Sequence, residues 1–273
     1  AYETITYPVV FHLIQDKTKV ELGQGVGADI VNYAFNTIYN CFARTAAFSP
    51  NGADTKIRFR LAEYDPNGRK MEEKGINRYS LSTSDLNNLN PEKIKNNPKI
   101  CWDYKRYLNI WIVENMGNSV STPHYILNTA DLNQIQGVSF EQLSLEEIEK
   151  QEYSLTDIGL IYGARDFAIE DVGYPTQMGK FFGLLDTENQ KEDYCEDTFA
   201  YNTYKEPWNT ALEGSNSRLK ISTDGLIFYS VNIMDASSYK NTISMDQVKR
   251  IRTITDNCPH RWAWKSDWAF TGK

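Results

Sequence analysis

The run ITYPVVFHLI (5–14) is almost uninterrupted by polar side chains, the composition of a strand buried on both faces. In GADIVNYAFNTIYNCFAR (27–44) the pattern changes: Ile30, Ala34, Ile38, Cys41 and Phe42 recur at steps of three and four. That spacing predicts a helix with one buried face. The segment KIRFRLAEYDPNG (56–68) alternates apolar and polar residues and runs into a turn sequence, which predicts a second strand. YLNIWIVEN (107–115) reads as a third strand and LTDIGLIYGA (155–164) as a fourth. Residues 129–154 are polar and acidic and end in SLEEIEKQE, the pattern of a surface insertion with a short helix. A further helix is expected after Pro175, turning at Gly183, because proline fits a first helical turn and glycine the left-handed residue that ends one.

Beyond Gly183 the regularity fades. YCEDTFAYNTYKEPWNTALEGSNSR (194–218) is rich in turn formers and has no period. In SMDQVKRIRTIT (244–255), Met245, Val248, Ile251 and Arg252 restore helical spacing. GQGVGAD (23–29) is glycine-rich but lacks the dinucleotide pattern, and it reads as the turn before the first helix. There is no internal repeat and no low-complexity linker. One α/β unit over residues 1–273 is expected, with an N-terminal subdomain 1–184 and an irregular C-terminal subdomain 185–273.

The formal net charge of −7 and the lack of a basic cluster argue against nucleic acid as a partner. No apolar run approaches the length needed to span a bilayer. The opening AYETITYPVV lacks a charged start followed by an apolar stretch, so no signal peptide is read there. A processed chain looks the same, and export is left open.

Candidate chemistry is sparse. No G-x-S-x-G elbow and no phosphate-binding glycine loop is present. The three histidines are dispersed: His12 inside the first strand as a core residue, His124 in a loop or edge strand, and His260 near the end. Cys41, Cys101, Cys195 and Cys258 form no C-x-x-C pair; two disulfides or four buried thiols fit them equally. Among the acidic residues Asp157, Asp166, Glu170, Asp171, Asp193, Glu196 and Asp197, any two could be named as acid and base. Calcium at 193–197 suits oxygen ligands, although the spacing is not that of an EF-hand. In the tail HRWAWKSDWAF (260–270), Trp262, Trp264 and Trp268 either dock on the body or form an aromatic binding surface.

The stretch TQMGKFFGLLD (176–186) carries the outline H-E-x-x-H-x-x-G-x-x-H with only Gly183 retained. Downstream stands VNIMDASS (231–238), with Met234 where a Met-turn is expected. Taken with YPVVFHLI (7–14), IRFRLAEYDPNGRKMEEKGINR (57–78), YLNIWIV (107–113) and DYCEDT (193–198), the chain resembles the pappalysin-like metzincins, a family of zinc metallopeptidases. The resemblance runs in order from residue 5 to 258 and implies a zincin-like fold. That means a twisted, mostly parallel sheet with two long helices, then an irregular subdomain with the Met-turn and a final helix. It also makes the second lobe compact, which favours pairing Cys195 with Cys258 and leaves Cys41 with Cys101.

In such enzymes three histidines hold zinc and the glutamate acts as general base on the bound water. Here those positions are Thr176, Lys180 and Asp186, with Gln177 at the base. Threonine is a poor ligand, lysine is a cation, and glutamine accepts no proton. The resemblance therefore implies a member that has lost its zinc, its general base and its peptidase chemistry. Because converging ligands lie about 2 Å from one ion, Lys180 and Asp186 are expected to meet as an ion pair.

The function read from this is a catalytically inactive homologue that binds a peptide, protein or glycan in the former substrate cleft. The resemblance places it outside the cell, secreted or held at a bacterial surface by a lipid anchor on its precursor. A divergent hydrolase using another metal or carboxylates, and a carbohydrate-binding surface protein using the tryptophans, are the rival readings.

Overall fold

Twelve consecutive extended residues, β1 (Ile5–Asp16), form the axis of the sheet. The computed structural model describes residues 1–18, 27–46, 51–117, 124–128, 135–168, 173–187, 192–201, 219–222, 224–235 and 240–273. One edge of β1 takes two partners end to end. Residues Ile5 to Val9 pair with β2 (Ile57–Leu61), and Phe11 to Asp16 pair with β3 (Ile76–Leu81). The other edge pairs with β4 (Leu108–Val113), which in turn pairs with β5 (Gly159–Gly163). Every one of these pairings is parallel.

The chain leaves the edge after β2 and returns to it through Gly75. Ala62 N–H donates to Val9 O at 2.9 Å, Gly75 N–H to Ala62 O at 2.7 Å, and Phe11 N–H to Gly75 O at 2.7 Å. The second strand is therefore shorter than the alternation in 56–68 predicts. The segment 155–164 is also corrected: Leu155–Ile158 is a helical turn capped by Ser154, and only Gly159–Gly163 is strand. Glycine at 159 is required there, because an added Cβ would lie 2.3 Å from Asn109 O.

Helix α1 (Ala28–Phe42) buries Val31, Ala34, Ile38, Cys41 and Phe42, largely the stripe read from the sequence, although Ile30 is only partly covered. It packs on one face of the sheet with Tyr7, Val9, Phe11 and Leu13 of β1. The alternate residues of β1 look the other way. Val10 joins Trp102, Tyr107 and Ala269, while Ile14 joins Trp111, Ile100 and Ile161. Both faces are covered, which is the usual condition of a parallel sheet and the reason β1 reads as one apolar run.

His12 sits between those two far-side clusters, fully buried. Asn77 Nδ2 donates to its Nδ1 at 2.9 Å, and its Nε2–H donates to Asn109 Oδ1 at 2.7 Å, so the neutral ring is fully partnered. Burial pushes its pKa down to about 4, against a smaller opposing effect of the Asn109 hydrogen bond.

The unfolded chain binds this proton below pH 6.5 and the folded chain only below about 4. Stability from His12 is therefore full above pH 6.5 and lost as pH falls toward 4, by roughly 3 kcal/mol in all. Urea unfolding at pH 7, 5.5 and 4 should show this decline, and His12→Gln should remove about half of it, because burial also pushes His260 down to about 4. A profile that is flat from pH 7 to 4 contradicts the assignment.

Candidate functional site

The helix expected after Pro175 is α2 (Tyr174–Phe181), with proline in its first turn. It ends at Gly183, whose φ of +93° is in the left-handed region. Leu184 N–H reaches back to Gly179 O at 2.9 Å and Gly183 N–H to Lys180 O at 3.1 Å, the two bonds of a Schellman stop. The stop is buried, so its carbonyls need further donors. Tyr125 Oη donates to Lys180 O at 2.6 Å, Arg261 Nε to Phe181 O at 3.0 Å, and Arg250 Nη2 to Gly183 O at 3.0 Å. Both arginines are buried, and neither has a carboxylate within 4.0 Å among the described residues.

Under α2 runs the turn Asn232–Asp235, with Met234 buried against the helix. Gly179 permits the approach: a Cβ there would lie 2.9 Å from Met234 Sδ and 3.1 Å from Ile233 Cδ1. Asn232 sets the turn by accepting Met234 N–H at 2.9 Å on its side-chain oxygen. It also exchanges two amide hydrogen bonds, of 2.8 and 2.9 Å, with Gln247 of helix α3 (Met245–Asn257).

The expected ion pair is present: Lys180 Nζ is 3.2 Å from Asp186 Oδ1. Their side chains are 33% and 45% exposed, so the pair lies at the rim of the site. Thr176, one helical turn before Lys180, is buried and does not join them. Its hydroxyl donates to Ile233 O at 2.5 Å and accepts from Lys240 Nζ at 3.0 Å. Gln177 makes no side-chain hydrogen bond among the described residues. This set does not fit zinc. The hydroxyl is committed to a backbone carbonyl, one ammonium occupies the second ligand position and another contacts the first. Among the described residues no three His, Cys, Asp or Glu side chains converge.

A cavity of about 390 Å³ adjoins the turn, lined by Thr187, Phe199, Phe228, Ser230, Asn232 and Asp235 among others. Asp235 is buried and accepts from Thr187 Oγ1 at 2.6 Å, Ser230 Oγ at 2.5 Å and Asn232 N–H at 3.1 Å. Burial raises its pKa, against those hydrogen bonds. In the acidic stretch, Asp193 accepts from Thr198 Oγ1 at 2.5 Å, and Asp197 accepts from Ser244 Oγ at 2.6 Å. Calcium there would have to displace these bonds. Glu170 and Asp171 lie outside the described residues.

Two expectations are corrected. All four cysteines are free thiols. Neither the Cys195–Cys258 nor the Cys41–Cys101 bridge forms: Cys41 belongs to the main core and Cys101 packs on a far-side cluster, while Cys258 lies in a third cluster with Tyr125 and Ile254. Cys101 is only partly buried and Cys195 is buried; burial pushes their thiols up to about 11 and 12. The tryptophans do not form one three-ring platform: Lys265 Nζ lies 3.3 and 5.3 Å from the ring centroids of Trp262 and Trp264, and Trp268 packs elsewhere. Trp268 donates to Asp65 O at 3.1 Å and packs with Trp102 and Tyr107, and Trp264 donates to Thr255 O at 3.4 Å. Trp262 alone lines a second pocket. His124 is exposed beside Ser139, and His260 is buried edge-on to Tyr104 and Tyr153.

No protein-family model and no curated protein matches the sequence. Solved structures do resemble the fold. Mirolysin in complex with a compound is 18% identical over 99% of each chain, with a TM-score of 0.63. Mature mirolysin of Tannerella forsythia in complex with a cleaved peptide is 19% identical over 98% of each chain, at 0.60. Promirolysin of that organism is 19% identical over 98% of this chain and 86% of its own, at 0.58. The fold is metzincin-like.

Two measurements separate the rim from the support beneath it. A Lys180→Met and Asp186→Asn double-mutant cycle should give a coupling of only about 0–1 kcal/mol, since the pair is largely solvated. Arg250→Met should cost roughly 2–4 kcal/mol, because the carbonyls of Gly183 and Gln136 lose buried donors. Chemical denaturation measures both; reversal of the ranking contradicts this division.

Proposed function

We propose that this chain is a metallopeptidase homologue without peptidase activity that binds a peptide or protein segment in the cleft above its Met-turn. The observation that carries the reading is the Lys180–Asp186 contact at 3.2 Å, at the positions of the second and third zinc ligands of related enzymes. A fixed ammonium there repels a dication and supplies part of its charge. The cavity beside Thr187 and Asp235 offers such a segment hydroxyl and carboxylate groups along an aromatic wall. The mature mirolysin structure, with its cleaved peptide, makes a peptide the first ligand to try.

On this reading the chain is a divergent pappalysin-like metzincin, exported or carried at a cell surface on a lipid anchor. The motifs in order along residues 5–258 support the subgroup. No helix among the described residues is long and apolar enough to cross a membrane.

Protein purified without chelator should contain zinc well below one equivalent and cleave no member of a peptide panel. Restoring the pattern with Thr176→His, Gln177→Glu, Lys180→His and Asp186→His together should raise zinc content toward one equivalent, measured by elemental analysis. Near-stoichiometric zinc in the unaltered chain, or cleavage abolished by chelator, would falsify the reading in favour of a divergent hydrolase.

A further inference from the structure

A second pocket, of about 300 Å³, lies where the tight turns after α3 meet the helix Leu145–Lys150. It shares no lining residue with the cavity at the Met-turn. Tyr104, Leu145, Ile148, Pro259 and the ring of Trp262 supply its apolar surface, and Lys105, Glu149, Lys265 and Ser266 complete the lining. Pockets at this end of the size range suit one compact group.

The charges around it are unequal in their partners. Lys105 Nζ is 2.7 Å from Glu149, and Lys150 Nζ is 2.6 Å from Glu146. Lys265 has no carboxylate within 4.0 Å among the described residues. Its Nζ lies 3.3 Å from the centroid of the Trp262 ring and 5.3 Å from that of Trp264. Burial lowers its pKa, opposed by the charge of Asp256. Lys265 is exposed, and the face of the Trp262 ring is the nearest partner of its ammonium, which stays open to an anion at the mouth of the pocket. Ser266, also in the lining, accepts from Trp268 N–H at 3.3 Å and keeps its own O–H to donate.

We propose that this pocket binds a carboxylate carried on a compact apolar body, with the carboxylate at Lys265 Nζ and Ser266 Oγ and the body between Trp262, Tyr104 and Ile148. Two sources share the chemistry: the last residue of a peptide ending in an apolar side chain, and a free alkyl or aryl acid. The site is independent of the former zinc position.

The test is a titration of the ¹⁵N-labelled full chain, following the indole cross-peak of Trp262 assigned with Trp262→Phe. N-acetyl-L-phenylalanine should shift that peak, and its amide should bind at least about tenfold more weakly, a difference of about 1.4 kcal/mol. Lys265→Met should erase the difference between acid and amide, Ser266→Ala should reduce it, and Lys180→Met should leave it intact. A 3-phenylpropionate arm distinguishes the sources: equal affinity assigns the site to free acids, weaker affinity to chain ends. Acid and amide binding alike, a preference that survives Lys265→Met, or no shift of the Trp262 peak would each overturn the proposal.

Discussion

A helix that stops inside a protein leaves carbonyl oxygens that water cannot reach, and this architecture is organised around satisfying those of α2. The donors come from three distant places: Tyr125 from a short strand, Arg250 from α3, and Arg261 from the turn beyond it. Each brings its own element into contact with the stop at Gly183. Among the described residues the arginines have no carboxylate partner, so the carbonyl dipoles are their main compensation. Charge and backbone are mutually dependent here: neither the cations nor the carbonyls are tolerable in the interior alone. The site above inherits its geometry from this arrangement, since Thr176, Lys180 and Asp186 are positioned by where α2 ends.

The turn beneath the helix is held in a similar way, by contacts of its own. The turn Asn232–Asp235 is held by Gln247, by the packing of Met234 against Gly179 and by the bond from Thr176 to Ile233 O. None of these contacts involves a metal. Thr176 is part of this support, whereas Lys180 and Asp186 pair at the rim without contributing to it.

Much of the fold is legible in the sequence because its signals are local. The stripe of α1, the apolar run of β1 and the proline-to-glycine frame of α2 each follow from spacing within one segment. The Lys180–Asp186 contact is legible too, since the ligand spacing of the family pattern fixes which side chains converge. What escapes is what depends on remote partners. Lys240 on Thr176 and Tyr125 on Lys180 O leave no trace in local pattern. Strand β3 hides behind the excursion that Gly75 closes, and Leu155–Ile158 is apolar enough to read as strand. The three tryptophans read as a group because they are close in sequence, yet Trp268 packs with Trp102 and Tyr107 while Trp262 and Trp264 lie about Lys265.

The central strand has a consequence for how the molecule comes to be made. Residues 5–16 pair with 57–61, 76–81 and 108–113, and Tyr7 Oη donates to the carbonyl of Arg261 at 2.5 Å, across 254 positions of sequence. Arg252 also reaches back to Glu3 O at 3.1 Å. Contacts this remote make loop closure a large part of the folding barrier. During synthesis this strand can collect its parallel neighbours in turn, but its last partner, Ala269 against Val10, arrives only when residue 269 has left the ribosome. Until then an apolar face awaits its cover, and the nascent chain is at its most aggregation-prone with most of its sheet already built.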